Sequence, residues 1–323
     1  MNPNRIPKVS VSIISYNHKD FIAKALNSVL MQKTDFEYEI IVGDDFSTDG
    51  TQDILKKYQE KYPDIIQLIL HPKHNPGVPG RVNNTTNLYA CRGEYIALLD
   101  GDDYWTDENK LSIQAALLDE MRDHVVTGHT ARRVDVNGKD LGNHWDAGKH
   151  QEKEGSYTMA DILNYGWCFA QTSTLMFRNG LIKEFPEWFW KVVSADFALQ
   201  LLVTRHGKLY YLAKPMTAYV QHGNSFMSSL YWSRPFLEFK IAETRTLKER
   251  FSESSSKPLL HRYQISIGIN RRIAIYKFRL FKTVIDEKKY LDASYQLLKY
   301  SFTDFSLLHF YNMAKSKLMA AIK

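Results

Sequence analysis

The sequence has few cysteines and no long apolar run, and these two features limit the classes of protein to which it can belong. Its 323 residues include only Cys91 and Cys168, too few for a disulfide framework and without the paired spacing of a zinc site. Residues 1–8 are polar and lack the apolar core of a secretory signal. No stretch reaches the roughly 18 apolar residues that would span a bilayer. We therefore expect a protein of the reducing cytoplasm with no integral membrane segment.

Acidic and basic side chains are unevenly distributed along the chain. Residues 1–230 carry a formal net charge of −4 and residues 231–323 a charge of +10, which together give the +6 of the whole chain. The overall content of hydrophobic (44%) and charged (24%) residues is typical of a folded globular protein and excludes a disordered one. The charge shift predicts two regions with different partners.

Apolar runs alternate with helical patterns in the first part of the chain. Runs rich in β-branched residues lie at 8–15, 38–43, 65–70 and 95–99, and helical spacing occurs at 21–30, 51–62, 83–90 and 105–118. This alternation predicts an α/β fold with a mainly parallel central sheet. The later pattern is mixed, with strands predicted at 125–136, 169–177 and 209–212 and helices at 196–206, 234–251, 265–281 and 290–300.

Polar clusters follow three of the predicted strands. They are Ser15-Tyr16-Asn17, Asp44-Asp45 and Asp100-Gly101-Asp102-Asp103. Ligands of such sheets bind beyond the carboxyl ends of the strands. Carboxylates as dense as those of the third cluster repel one another unless a cation or a donor is present, and hard oxygen ligands favour Mg²⁺ or Mn²⁺ with a bound diphosphate. The alternative is that Asp102 or Asp103 only caps the following helix.

Three motifs follow one another along the chain: VSVSIISYNHKDFIAKALNSVLMQ, DDFSTDGT and RGEYIALLDGDDYWTDENKL. Together they resemble family-2 glycosyltransferases of the GT-A fold, and the resemblance covers about residues 8–225. The last motif is similar to the LDGDDYW-type metal motif of bacterial members that decorate surface polysaccharides. The resemblance implies an inverting, metal-dependent transfer from a nucleoside-diphosphate sugar, with UDP-sugar favoured, to a glycan or lipid-linked glycan. It also implies a catalytic domain at 1–230, with a nucleotide-sugar half (1–103) and an acceptor half (104–230), followed by a basic helical region at 231–323.

The resemblance further implies roles for the polar residues at the strand ends. Ser15, Tyr16 and Asn17 would line the base pocket, with Tyr16 stacking on the base; the alternative is a loop that leads into a helix. Asp44 and Asp45 would bind uracil or ribose, or else hold the turn through Ser47. Asp100 would face the sugar or ribose, Asp102 would be the main ligand of Mn²⁺ or Mg²⁺, and Asp103 would share or support coordination.

Two segments farther along the chain carry the remaining implied roles. Asp196 lies in SADFALQLLVTRHGKLYYL, similar to the family segment with the catalytic base, although an aspartate there can also be an N-cap. His222 lies in AYVQHGNS, which resembles the family's YRxHxxS ending, and would be a third metal ligand or else a surface histidine. The usual arginine of that ending is replaced by Val220 or Gln221. The other histidines, including His18, are interpreted as structural.

The basic C-terminal region and the wider function leave alternatives open. Basic and apolar residues interleave at 271–282, which predicts either a peripheral contact with an anionic membrane or a helical bundle with solvated charges. No nucleic-acid-binding motif accompanies the charge. A sugar nucleotidyltransferase would require a glycine-rich, basic phosphate loop after the first strand, which SYNHKDF is not. A non-catalytic sugar-binding scaffold would tolerate loss of the carboxylates.

Overall fold

The structure is a computed structural model that describes residues 6–75, 80–144, 153–165, 168–192, 194–223 and 234–253, together with residues 273, 276, 277 and 280. The chain divides into two compact units. The first comprises Met1–Ile162 and Trp167–His222, and the second comprises Leu163–Gly166 and Gly223–Lys323.

The first unit is an α/β fold built on one sheet. Its strands are β1 (Val9–Ser15), β2 (Tyr38–Asp44), β3 (Ile66–Leu70), β4 (Tyr95–Asp100), β5 (Tyr104–Trp105), β6 (His124–Asp135), β7 (Asp140–His144), β8 (Gly155–Tyr157), β9 (Met176–Arg178) and β10 (Lys208–Gln221). Its helices are α1 (Ile22–Leu30), α2 (Thr51–Lys61), α3 (Arg81–Ala90), α4 (Lys110–Glu120), α5 (Met159–Tyr165), whose last residues fall in the second unit, and α6 (Ala195–Thr204).

The sheet is mainly parallel, as the sequence predicted. Its order is β3-β2-β1-β4-β9-β6-β10-β5, with β7 beside β6 and β8 beside β10. Strands β3, β2, β1 and β4 are parallel to one another. Strand β9 is antiparallel to both β4 and β6, so β6 and β10 run in the same direction as β1. The carboxyl ends of β1, β2, β4, β6 and β10 therefore share one edge.

The core forms where the apolar strands meet the apolar stripe of α1. Val11 and Ile13 of β1 are fully buried, as are Ile22, Leu26 and Val29 of α1 at helical spacing. Full burial of each such side chain contributes about 1.5–3 kcal/mol. These contacts fix the position of β1 relative to α1. They thereby also fix the position of the loop that follows the strand.

Two predicted elements differ from those observed. The helix predicted from residue 105 begins at Lys110, because Tyr104 and Trp105 pair with β10 as β5 and the buried Trp105 Nε1 donates to Ser173 O (2.9 Å). The strand predicted at 169–177 is a 3-10 turn, Thr172–Thr174, followed by the three-residue β9. In both places tertiary pairing overrides the local pattern.

The described part of the second unit is mainly helix α7 (Arg234–Glu253), at the predicted position. Ile273, Tyr276, Lys277 and Leu280 are buried. The rest of the helices predicted at 265–281 and 290–300 lies outside the described residues. Across the described helices, none combines the length and apolar character needed to cross a bilayer.

Candidate active site

Two loops, one after β1 and one after β2, hold each other in place. Asn17 N donates to Ser47 Oγ (2.8 Å), and Thr48 N donates to Asn17 Oδ1 (3.0 Å). Lys19 N donates to Asp49 Oδ2 (3.0 Å). Asn17 has a φ of 55°, in the left-handed region that asparagine tolerates better than most residues. The Asn17 side chain is thus engaged in bracing the loops beside the expected base pocket.

The two aspartates at the end of β2 have different surroundings. The buried Asp44 accepts hydrogen bonds from Ser47 N (2.9 Å), Ser47 Oγ (2.5 Å) and Gln52 Nε2 (2.7 Å). This geometry supports the alternative in which Asp44 holds the turn. Asp45 Oδ1 instead accepts from Asn75 Nδ2 (2.7 Å), and its Oδ2 lies 3.0 Å from His74 Nδ1.

Tyr16 presents an aromatic face next to Asp45. Tyr16 is 45% exposed, and the centre of its ring lies 4.8 Å from the centre of the His74 ring. Asp45 N donates to Ser15 O (3.0 Å), which joins the two strand ends. The buried Ser15 Oγ has no hydrogen-bond partner among the residues that the structure describes. The exposed Tyr16 ring beside the Asp45 carboxylate suits the stacking of a base.

Buried asparagines of α3 hold the ends of β1 and β2 from behind. Asn83 Nδ2 donates to Gly43 O (2.9 Å) and to Ser15 O (3.3 Å), and Asn87 Nδ2 donates to Ile13 O (2.7 Å). A Cβ atom at Gly43 would lie 2.0 Å from Asn83 Oδ1, so any larger residue there would have to displace this side chain. Sequence reasoning missed these residues; the only signal was a helix with polar side chains on its buried face.

Asp102 is flanked by two histidines. Its Oδ2 lies 2.9 Å from His222 Nε2 and 3.9 Å from His18 Nε2. The Phe21 ring stacks on the His222 ring at 4.7 Å with 29° between the planes. Burial opposes ionisation of Asp102, but the hydrogen bond from His222 and the proximity of His18 hold its pKa below the usual range. The structure thus brings together Asp102 and His222, which are far apart in sequence.

His18 belongs to this site, although the sequence analysis interpreted it as structural. Burial lowers the pKa of His18, and its buried Nδ1 has no hydrogen-bond partner among the described residues. The backbone of Gly101 passes so close that a Cβ there would lie 2.8 Å from His18 Nδ1. The available signal was its place in the loop that follows β1.

Asp103 differs from its neighbours because it faces the interior. Its Oδ2 accepts from Gln171 Nε2 (2.6 Å) and Ser173 Oγ (2.8 Å), and its Oδ1 accepts from Val220 N (3.0 Å). Burial raises the pKa of Asp103 well above its usual range, and the charges of Asp102 and Asp100 add to the effect. Asp103 therefore ties the end of β4 to β10 and to the 3-10 turn.

Asp100 and Asp196 lie in the same site. Burial, together with the charges of Asp102 and Asp196, raises the pKa of Asp100 to about 8. Asp196 is the second residue of α6, after the cap position Ser194, which makes no side-chain cap hydrogen bond. Asp196 is thus inside the first turn and is not itself the cap residue.

The segment before α6 is anchored to α3. The Arg81 guanidinium donates to Phe189 O and Val192 O, and it lies 4.3 Å from the centre of the Phe189 ring. Arg81 and Phe189 are both buried. This anchor fixes the chain that leads to Asp196 relative to the nucleotide side of the sheet.

The side chains gathered around Asp102 suit a hard divalent cation that takes its remaining ligands from a bound phosphate group and water. In the described part of the chain, no three His, Cys, Asp or Glu side chains form a complete metal cluster. Asp102 and His222 supply two adjoining donors, and Mg²⁺-type sites commonly use one or two carboxylates with phosphate oxygens and water. His18 Nε2 lies beside them, 3.9 Å from Asp102 Oδ2.

Comparison with known sequences places this chain among sugar-transferring enzymes. A model of glycosyl transferase family 2 matches residues 10–185. An uncharacterised glycosyltransferase of Nostoc sp. is 32% identical over 69% of this chain and 67% of the relative. An uncharacterised protein of Mycobacterium tuberculosis is 31% identical over 73% of this chain, but the match spans only 64% of that relative's length. The Staphylococcus aureus poly(ribitol-phosphate) beta-N-acetylglucosaminyltransferase TarS is 31% identical over 56% of this chain and 30% of TarS.

Solved structures show the same fold. Residues 1–349 of S. aureus TarS in complex with UDP-GlcNAc match with a TM-score of 0.58 at 23% identity, covering 91% of each chain. The mannosyltransferase PcManGT from Pyrobaculum calidifontis, in complex with GDP-Man and Mn²⁺, matches with a TM-score of 0.58 at 14% identity, covering 99% of this chain and 82% of the other. At these identities the likeness concerns the fold alone.

Proposed function

The chain belongs to glycosyltransferase family 2, and from that premise we propose that it transfers a sugar from a UDP-sugar to a hydroxyl of a glycan or lipid-linked glycan, with inversion at the anomeric carbon. The observation that carries the proposal is the meeting of Asp100, Asp102, Asp196 and His222 in one site. The surface polysaccharides of bacteria are the proposed setting.

The donor is proposed to bind at the braced loops after β1 and β2. Tyr16 stacks on the base, and Asp45 accepts from the base or ribose. Ser15 holds Asp45 through its carbonyl oxygen, Asn17 keeps the loop in shape, and Asp44 acts through the turn that it holds. The structures of TarS with UDP-GlcNAc and of PcManGT with GDP-Man support a nucleoside-diphosphate sugar as donor.

Asp102 and His222 are the proposed protein ligands of Mn²⁺ or Mg²⁺. Asp103 supports them from the interior, and Asp100 faces the sugar or ribose. When bound, the cation stabilises negative charge on the departing nucleoside diphosphate. The complex of PcManGT with Mn²⁺ supports the choice of cation.

Asp196 is the proposed general base. It would take the proton from the acceptor hydroxyl as that oxygen attacks the anomeric carbon. Holding the acceptor and the donor in line lets one displacement complete the transfer, and a single displacement inverts the centre. The position of Asp196 within the first turn of α6 leaves its carboxylate partly exposed to an acceptor.

The proposal also covers the class of acceptor and the role of residues 231–323. TarS is named as an enzyme acting on poly(ribitol-phosphate), which supports a polyhydroxylated surface polymer as the acceptor class. We keep 1–230 as the catalytic domain and 231–323 as a separate basic helical region. The buried residues at 273–280 support a packed bundle, and membrane contact by this region stays the alternative.

The test is nucleoside-diphosphate release from a panel of nucleotide sugars with Mn²⁺. We expect release by the wild type to disappear with chelator and to fall at least about 100-fold in Asp102→Ala and Asp196→Ala. Asp123→Ala is the matched control, because Asp123 is exposed and precedes the amino end of β6. Pyrophosphate formation from a sugar phosphate and a nucleoside triphosphate would instead indicate a nucleotidyltransferase. Binding without turnover would indicate a scaffold.

A further inference from the structure

Lys110, the first residue of α4, is fully buried without an acidic partner. Its Nζ donates to Gln114 Oε1 (2.7 Å), one helical turn later, and lies 3.9 Å from the centre of the Trp105 ring. Among the residues that the structure describes, no carboxylate forms an ion pair with Lys110, and burial lowers its pKa well below the usual range. Because lysine is almost never fully buried unless it is paired, its place here calls for a role beyond packing.

The two side chains that Lys110 contacts both bind the same 3-10 turn. Gln114 Nε2 donates to Thr174 O (2.9 Å), and Trp105 Nε1 donates to Ser173 O (2.9 Å). Because Lys110 donates to Gln114 Oε1, the carboxamide is oriented with its donor group toward the turn. The ammonium group of Lys110 also lies over the indole ring whose N–H binds Ser173 O. Lys110 thus fixes both donors to neighbouring carbonyl groups of the turn.

The same turn positions the acidic residues at the end of β4. Ser173 Oγ accepts from Asp100 N (3.0 Å) and donates to Asp103 Oδ2 (2.8 Å). One hydroxyl group therefore holds the chain on both sides of Asp102. A movement of the turn would consequently move the backbone that carries the Asp102 carboxylate.

We propose that Lys110 is a positioning residue for the proposed cation site at Asp102. It holds the 3-10 turn through Gln114 and Trp105, and the turn holds the residues on either side of Asp102. This inference rests on the proposed function, in which Asp102 binds Mn²⁺ or Mg²⁺. Lys110 takes part in no chemical step, because it is fully buried and acts only by holding other side chains.

The experiment measures the affinity for Mn²⁺ in the presence of UDP, by calorimetry, in Lys110→Met and Gln114→Glu. Methionine keeps an apolar chain of similar length but removes the donor, so the Gln114 carboxamide is free to turn away from Thr174 O. We expect the affinity for Mn²⁺ and the rate of transfer to fall about tenfold, as is usual when a group that orients a metal ligand is lost. UDP affinity without a divalent cation should not change, because the base is proposed to bind at β1 and β2.

Gln114→Glu tests the same path without removing Lys110, and it keeps the test decisive if Lys110→Met does not fold. Glutamate still accepts from Lys110, but an oxygen replaces the donor to Thr174 O. The affinity for Mn²⁺ should fall in this variant as well, again with no change in UDP affinity in the absence of a divalent cation.

Leu118→Ala is the matched control on the same helix. Leu118 is fully buried in the apolar core, and its side chain has no polar group that could bind the turn. The substitution leaves a cavity, so Tm should fall. The affinity for Mn²⁺ in the presence of UDP should remain that of the wild type.

The outcomes separate this inference from the proposed function. If Lys110→Met and Gln114→Glu lower Tm but bind Mn²⁺ as the wild type does, the positioning role is wrong and the proposed function stands. An equal loss of Mn²⁺ affinity in Leu118→Ala would also overturn the positioning role. If Asp102→Ala binds Mn²⁺ as tightly as the wild type, the proposed cation site itself is wrong. Weaker Mn²⁺ binding in the first two variants alone supports the inference.

Discussion

Replacing Gly43 with alanine tests how the strand ends that carry the site are held. The added methyl group would lie 2.0 Å from Asn83 Oδ1 and 2.4 Å from Asn87 Oδ1, well inside contact distance. Overpacking of this kind costs about 1–3 kcal/mol. Moving the two asparagines also weakens their buried hydrogen bonds to Gly43 O and Ile13 O, at about 1 kcal/mol each.

The two contributions together predict a loss of about 3–5 kcal/mol in the free energy of unfolding of Gly43→Ala. For a domain of this size about 1 kcal/mol corresponds to roughly 2–4 °C in Tm, so Tm should fall by roughly 10 °C. Urea unfolding at 25 °C measures the loss directly. Because β2 ends in Asp44 and Asp45, affinity for UDP should fall in the same variant.

Gly223→Ala is the control, since no atom of the described residues lies within 4 Å of a Cβ at that position. Its unfolding free energy should stay within about 0.5 kcal/mol of the wild type. A double variant, Gly43→Ala with Asn83→Ala, should lose less than the sum of the single losses because the methyl group then has room. An unfolding free energy of Gly43→Ala equal to that of the wild type would refute the packing argument.

Three further predictions concern the site itself. His222→Ala should weaken Mn²⁺ binding in the presence of UDP about 10- to 100-fold by calorimetry, and unchanged affinity would remove His222 from the ligand set. Tyr16→Ala should raise the Kd for UDP at least about fivefold while Tyr16→Phe keeps it, because base stacking on an aromatic ring contributes about 1–3 kcal/mol. The pKa of Asp100 is raised to about 8, so the folded state holds a proton that the unfolded state loses near its ordinary value of 3.8, and the metal-free protein loses stability as pH rises toward 8. Mn²⁺ should consequently raise Tm more at pH 8.5 than at pH 6, and equal shifts would contradict this.

Sequence patterns predicted the sheet well because its strands are apolar runs with local signatures. The ends of β1, β2 and β4 fall within one residue of their predicted positions, and the parallel direction follows from the alternation with helices. The predicted start of α4 was wrong, because Trp105 pairs with β10, which lies more than a hundred residues later in the sequence. No local pattern contains that pairing.

The site could be predicted only in part, because several of its contacts join residues that lie far apart in the sequence. The DGDD cluster and the resemblance together singled out Asp102 and His222, which the structure brings to 2.9 Å. The place of His18 beside Asp102 depends on how the loop after β1 folds back. The hydrogen bonds from Gln171 and Ser173 to Asp103 depend on the packing of the 3-10 turn against the end of β4. Periodicity carries no information about either contact.

The mutual bracing of the loops after β1 and β2 has a consequence for protein engineering. Each loop supplies hydrogen-bond partners for the other through Asn17, Ser47 and Thr48. A change in the length of one loop would therefore also change the conformation of the other. An exchange of donor specificity between relatives would therefore have to transplant both loops as a pair. A chimera in which only one loop is exchanged would lack the hydrogen-bond partners that hold that loop in shape.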